Sequence, residues 1–79
     1  MKDKVVDLNR TVYELCYADP EIAGILREAG FSDVTKPGML NTAGRFMTIP
    51  KGATMKRIDL QVVKRLFSEH GYSTTGEEL

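Results

Sequence analysis

Residues 11–31 read TVYELCYADPEIAGILREAGF, and this stretch determines the fold class. Thr11 and Glu14 have the spacing of a capping box, in which each side chain accepts a backbone N–H at the start of a helix. Asp19 and Pro20 end this helix and begin a second one, because Asp is a good N-cap and Pro suits the first helical position. The stretch therefore predicts two short, consecutive helices.

Two amphipathic patterns predict where the core lies. In residues 22–29 apolar side chains recur every three or four positions, and Gly30 follows as a left-handed C-cap. The same pattern returns in residues 60–70, after Asp59 as the N-cap. Because apolar stripes of this kind must be buried, we expect the two helices to share one core. Its members should include Leu26, Phe31, Leu66 and Phe67.

The middle of the chain is punctuated by prolines and glycines and has no regular pattern. Pro37 and Pro50 can each begin a short helix, over about residues 37–43 and 50–56. Thr48 lies near the start of the second of these helices. The middle therefore adds two short helices to the prediction.

Strand signals are weak throughout the sequence. Only residues 4–8 and 46–49 resemble strands, and neither shows a sustained alternation of apolar and polar side chains. We predict the all-α class, with four to five short helices in a compact array. They form a single domain over residues 1–72, followed by a flexible tail over residues 73–79.

Charge is unevenly distributed along the chain. Eleven basic and eleven acidic side chains cancel over the whole sequence. Residues 34–58, however, carry five basic side chains and no acidic one, whereas the two flanking segments sum to −5. This acid-free segment is the strongest indication of a partner that the composition offers.

The cysteine content and the hydropathy of the sequence limit the cellular compartments in which we expect the protein to occur. The single cysteine, Cys16, excludes an internal disulfide and any multi-cysteine metal site. No apolar run reaches the length of a signal-peptide core or the ~20 residues of a membrane span. We therefore expect a cytoplasmic protein that makes no contact with a membrane.

Residues 39–48, MLNTAGRFMT, carry a resemblance to a known family, together with residues 11–15 and the Gly30-Phe31 step. The chain resembles a bacterial family catalogued as domain of unknown function 1858, from about Val5 to Tyr72. The resemblance implies a compact multi-helix fold. It also implies a domain that occurs alone or in front of hemerythrin-like and sensor-type domains.

A similar group of small domains is linked to iron-cluster repair and redox proteins, and has a cysteine pair shortly after the Gly-Phe step. In this chain Ser32 and Asp33 follow Phe31, and no cysteine follows Cys16. The redox chemistry is therefore not carried over. A redox-associated domain that lacks the cysteine pair stays open as an alternative.

The sequence offers no set of catalytic residues. Cys16 lies on the apolar face of the first helix, so we expect it to be buried and inert. His70, the one histidine, lies at a helix C-terminus, where capping or packing is the usual role. Ser68 and Asp59 lie on the same helix at offsets that do not form a catalytic relay with His70. We expect no enzymatic activity, no cofactor and no metal ligand.

The acid-free segment is the candidate binding surface. Basic side chains and two helix N-termini, at Pro37 and Pro50, can together accept an anionic group. The candidate residues are Lys36, Asn41, Thr42, Arg45, Thr48, Lys51, Lys56 and Arg57. The alternative is that these charges are solvated, or that they pair with acids of the flanks such as Glu21, Glu28 or Asp59.

Three methionines in or near this segment, Met39, Met47 and Met55, recur at a spacing of eight residues. Methionines fill irregular cores and also form adaptable binding surfaces, and we expect the core role here.

The sequence thus favours a non-catalytic interaction or regulatory module. Its partner would be another bacterial protein with an acidic surface, and the resemblance points to a hemerythrin-like one. A domain that binds a small anionic ligand or a nucleic acid is an alternative, although zero net charge and the lack of a basic recognition helix argue against nucleic acid. A homodimer stays open, because so short a chain buries a small core.

Overall fold

The computed structural model describes residues 4–76, and it is a helical domain with one small sheet. The five α-helices are α1 (Val12–Ala18), α2 (Pro20–Ala29), α3 (Pro37–Leu40), α4 (Ile49–Lys56) and α5 (Leu60–Glu69). A 3₁₀ turn, Ala43–Arg45, lies between α3 and α4, and two strands, β1 (Val5–Asp7) and β2 (Ser73–Thr75), lie before and after the helices. The predicted helical class is confirmed.

The helix boundaries follow the capping residues. Thr11 and Glu14 form the complete capping box of α1. Asp19 ends α1 and caps α2, with its carboxylate accepting the Glu21 N–H at 3.1 Å. Gly30 ends α2 in the left-handed conformation, with φ 111°, which is costly for residues with a Cβ atom.

The later helices also begin at capping side chains. Thr48 accepts the Lys51 N–H at the start of α4, and Asp59 accepts the Gln61 N–H at the start of α5. The helix predicted from Pro37 is shorter than expected, because it ends at Leu40 and the chain resumes as the 3₁₀ turn.

The core is a single cluster formed by every helix except α3, together with β1 and the segments that follow β1, α2 and α5. Leu26, Phe31 and Phe67 are fully buried, as predicted. Leu66 was expected in the core but is only half-buried, because it packs against the edge of the cluster. The buried residues of α5 are Val63 and Phe67.

The sheet is the main departure from the predicted fold. Strands β1 and β2 are parallel, with Val5 opposite Ser73 and Asp7 opposite Thr75. Ser73–Thr75 were assigned to a flexible tail and instead pair with the weak strand signal at residues 4–8. Residues 77–79 of the predicted tail lie outside the described part of the chain.

The sheet forms because β1 has one apolar face. Val6 and Leu8 are buried in the core, whereas Val5 is half exposed. Polar β2 contributes backbone groups, as in the bond from the Leu8 N–H to the Thr75 oxygen at 2.8 Å. The other predicted strand, residues 46–49, forms only one isolated bridge, between Thr48 and Thr11.

Candidate functional site

An open apolar groove of about 380 Å³ lies where the turn after α2, α3, the 3₁₀ turn and α4 meet. We call it the methionine groove. It is lined by five apolar side chains with an ion pair at one edge: Asp33, Val34, Met39, Ala43, Met47, Met55 and Lys56. Three different segments of the chain therefore supply the three methionines.

The three methionines differ in exposure. Met55 on α4 is 72% exposed and Met39 on α3 is 44% exposed, whereas Met47 is half-buried and packs against the core. The expected core role is thus wrong for Met39 and Met55. The sequence spacing did not reveal this, because the segment between them is not one continuous helix.

Gly52 allows the backbone of α4 to approach the side chain of Met47, one of the groove residues. A Cβ atom at this position would lie 2.9 Å from Met47 Sδ and 2.7 Å from Phe31 Cε2, closer than side chains tolerate. Met47 therefore packs directly on the backbone of α4. The buried ring of Phe31 lies against the same glycine.

The edge of the groove is charged. Lys56 Nζ lies 3.1 Å from Asp33 Oδ2, and this hydrogen bond lowers the pKa of the Asp33 carboxyl below its ordinary value of 3.8. Lys36 lies next to this edge, because its backbone N–H donates to the backbone oxygen of Asp33 at 3.3 Å. Two of the eight predicted surface residues are thus at or near the groove.

Three other predicted residues make local contacts. Arg45 lies over the ring of Tyr13, with its guanidinium carbon 4.5 Å from the ring centroid. Thr42 donates its hydroxyl proton to the Gly38 oxygen at 3.0 Å, and Thr48 caps α4. These side chains stabilise the fold around the groove.

The remaining three, Asn41, Lys51 and Arg57, are exposed. Arg57 ends α4 with φ 58°, an unusual conformation for a residue other than glycine. The structure therefore divides the eight predicted residues among a groove edge, structural contacts and open surface.

The alternative of pairing with flank acids holds for one residue of the basic segment, since Lys56 pairs with Asp33. The three acids named as examples, in contrast, have other contacts. Glu21 lies 3.6 Å from Lys4, and Glu28 lies 3.4 Å from the Nε2 of His70. Asp59 caps α5. Within residues 4–76 neither Lys36 nor Lys51 nor Arg57 forms an ion pair.

Neither Cys16 nor His70 lines the methionine groove. Cys16 is buried, as predicted, and burial raises the pKa of its thiol to about 11. In the part of the chain that the structure describes, no three His, Cys, Asp or Glu side chains are grouped to hold a metal ion. Over the same residues, no helix is long and apolar enough to cross a membrane.

Two exposed aromatic side chains were not among the candidate residues predicted from the sequence. Phe46, next to Met47, is 82% exposed, and Tyr17 on α1 is 80% exposed. Tyr17 stacks on Tyr13 with ring centroids 5.8 Å apart, which continues the contact between Tyr13 and Arg45. No periodic signal marks Phe46, because it lies in a loop.

The comparisons place this fold among known proteins. The family described as "Domain of unknown function (DUF1858)" matches residues 6–73. The chain belongs to this family. Among solved structures, this DUF1858 chain is similar to a conserved domain protein from Streptococcus pneumoniae TIGR4. The sequence identity is 28%, and the TM-score is 0.92 over 99% of each chain. A comparison with curated proteins finds no match.

Proposed function

We propose that this domain is a non-catalytic protein-interaction module, and that the methionine groove receives a short apolar segment of a partner that also carries acidic side chains. One observation carries the proposal. Met39, Met47 and Met55 come from three segments and converge on one open groove, within the part of the sequence that has no acidic residue.

The chemistry of the groove favours a protein segment as the ligand. Methionine side chains are flexible and polarisable, so they adapt to apolar surfaces of different shapes. The groove has one ion pair and no cluster of polar groups that would orient a small substrate. An apolar side chain of a partner would bury the exposed parts of Met39 and Met55, which favours association.

The surrounding charge favours an acidic partner. Lys36 lies next to Asp33 at the groove edge, and the exposed Lys51 and Arg57 add positive charge to the same segment. Opposite charge on a partner accelerates association and sets its orientation, and salt weakens this effect. The family resemblance supports a hemerythrin-like bacterial protein of the cytoplasm as this partner, by association and not by geometry.

A defined peptide tests the proposal. The probe is a fluorescein-labelled helical peptide with leucines on one face and glutamates on the other. We expect the fluorescence anisotropy of the peptide to rise as the protein is added. The NMR signals of the Met39 and Met55 methyl groups should shift when the peptide binds. A peptide with lysine in place of glutamate should bind more weakly. Shifts confined to another surface would exclude the groove as the site.

Matched variants separate binding from folding. Met55→Ser removes an exposed apolar side chain of the groove. The control, Val62→Ser, removes an apolar side chain on α5 that is 43% exposed and does not line the groove. We expect Met55→Ser to weaken peptide binding about tenfold and Val62→Ser to leave it unchanged, with similar melting of both variants. Equal losses would contradict the proposal.

Charge reversal gives a second comparison. Lys36→Glu places an acid near the groove edge, whereas Arg65→Glu makes the same change of net charge on α5. We expect Lys36→Glu to slow association more than Arg65→Glu, with the largest difference at low salt. Slowing by the same factor in both variants would indicate attraction by net charge alone.

A further inference from the structure

The sulfur atoms of the described chain differ sharply in their access to solvent. Cys16 is 5% exposed, and burial raises the pKa of its thiol, so little reactive thiolate forms at neutral pH. Met47 packs on Gly52 and the core. Met39 and Met55 are exposed to 44% and 72% and face the methionine groove. An oxidant in solution therefore reaches the groove methionines first.

We propose that Met39 and Met55 form a reversible oxidation site, at which hydroperoxides convert the thioethers to sulfoxides and so release an apolar partner from the groove. The inference rests on the proposed function, since it assigns a form of regulation to the same site.

The oxidation is a two-electron oxygen transfer. The methionine sulfur attacks the O–H oxygen of the peroxide, and an S–O bond forms as the O–O bond breaks. The proton of the transferred oxygen passes to the other oxygen, which leaves as water or an alcohol. The sulfur is oxidised and the peroxide is reduced. In the reverse direction, two thiols of a methionine sulfoxide reductase supply two electrons and two protons. The sulfoxide oxygen then leaves as water and a disulfide forms on the reductase.

Because Met39 and Met55 lie at the surface, their oxidation changes the polarity of the groove and not the packing of the core. A sulfoxide is polar and chiral, so it opposes burial against an apolar partner. Neither Met39 nor Met55 belongs to the core cluster or to the half-buried shell around it. Oxidation should therefore weaken binding and leave the fold intact. Oxidation of Met47, by contrast, would place a polar oxygen against the backbone of α4 at Gly52.

The experiment uses hydrogen peroxide and the labelled leucine–glutamate peptide. Mass spectrometry of peptide fragments follows oxidation at each methionine, circular dichroism follows the fold, and anisotropy follows binding. We expect Met39 and Met55 to oxidise several-fold faster than Met47, with peptide affinity falling about tenfold. Treatment with methionine sulfoxide reductases of both stereospecificities should restore binding.

A double variant, Met39→Leu with Met55→Leu, serves as the control because leucine stays apolar and has no sulfur to oxidise. We expect it to bind the peptide before and after peroxide treatment. If reduced wild-type protein fails to bind the peptide at all, the proposed function fails and the switch fails with it. If reduced protein binds, and full oxidation of both methionines leaves affinity unchanged, only the switch is overturned. Oxidation of Met47 at the same rate as the other two would also overturn it.

Discussion

The phenol of Tyr72 donates a hydrogen bond to Oδ2 of Asp19, while Oδ1 of the same carboxylate caps α2. One side chain thus links the start of the second helix to the residue just before β2. Tyr72 is also buried, and its ring forms a T-shaped pair with the ring of Phe67 at a centroid distance of 5.8 Å. The hydrogen bond and the ring contact of Tyr72 together hold β2 against the helical core.

Removing this phenol should destabilise the domain. Hydrogen bonds to charged groups contribute about 1.5–3 kcal/mol, and Asp19 is partly solvated, so we expect Tyr72→Phe to lower the free energy of unfolding by about 1–2 kcal/mol. The exposed Tyr17 provides the control, and Tyr17→Phe should change stability by less than about 0.5 kcal/mol. Urea unfolding measures both. Equal stability of the two variants would show that the Tyr72 bond contributes nothing.

The same tyrosine should resist ionisation. Burial, and then the hydrogen bond to Asp19, raise the pKa of Tyr72 above its ordinary value of 10.0. A raised pKa adds stability that is complete below pH 10 and declines as the pH rises further. In an absorbance titration we expect one of the three tyrosines to ionise late, and Tyr72→Phe to abolish that step. A late step that persists in Tyr72→Phe would assign it to another tyrosine.

Two helical glycines should respond in opposite directions to alanine. In Gly52→Ala the new methyl group meets Phe31 and Met47 below 3 Å, whereas a Cβ at Gly24 on α2 has no atom within 4 Å. We expect Gly52→Ala to destabilise the domain by about 1–3 kcal/mol through overpacking. Gly24→Ala should stabilise it by about 0.5–1 kcal/mol, because alanine favours helices. Thermal melting of the pair tests both signs, and stabilisation by Gly52→Ala would disprove the close packing of α4.

Cys16 should behave as a buried apolar side chain. We expect a disulfide reagent to label it far more slowly in the folded protein than in denaturant. Its pKa is raised by burial from 9.0 to about 11, so its contribution to stability is complete below pH 9 and is lost between pH 9 and 11. As the pH rises from 9 to 11, the free energy of unfolding of Cys16→Ala should therefore fall less than that of the wild type. Rapid labelling at neutral pH would refute the burial.

Sequence reasoning recovered the helices because their signals are local. The capping box of Thr11, the Asp19-Pro20 step and Gly30 each act within a few residues, and the structure places helix boundaries at all three. The buried positions of Leu26 and Phe67 follow from helical periodicity in the same way. Patterns that depend on neighbours in sequence are thus sufficient for most of this fold.

The sheet and the groove depend on residues that are distant in sequence, so local patterns could not reveal them. Ser73–Thr75 have no apolar alternation, and their strand is defined only by pairing with β1. The groove likewise needs Met39 and Met55 to meet across a turn whose path the sequence does not specify. The acid-free segment, residues 34–58, contains most of the groove lining, but among the predicted surface residues only Lys56 lines the groove.

The parallel pairing of β1 with β2 also has a consequence for folding during synthesis. Val6 is fully buried, yet its strand has no hydrogen-bonding partner until Ser73–Thr75 have left the ribosome. The helices form through short-range contacts, whereas this pair must close a loop around nearly the whole domain. We therefore expect the N-terminal strand to complete the fold last. A nascent chain from which residue 73 has not yet emerged should hold a helical intermediate with an unpaired strand.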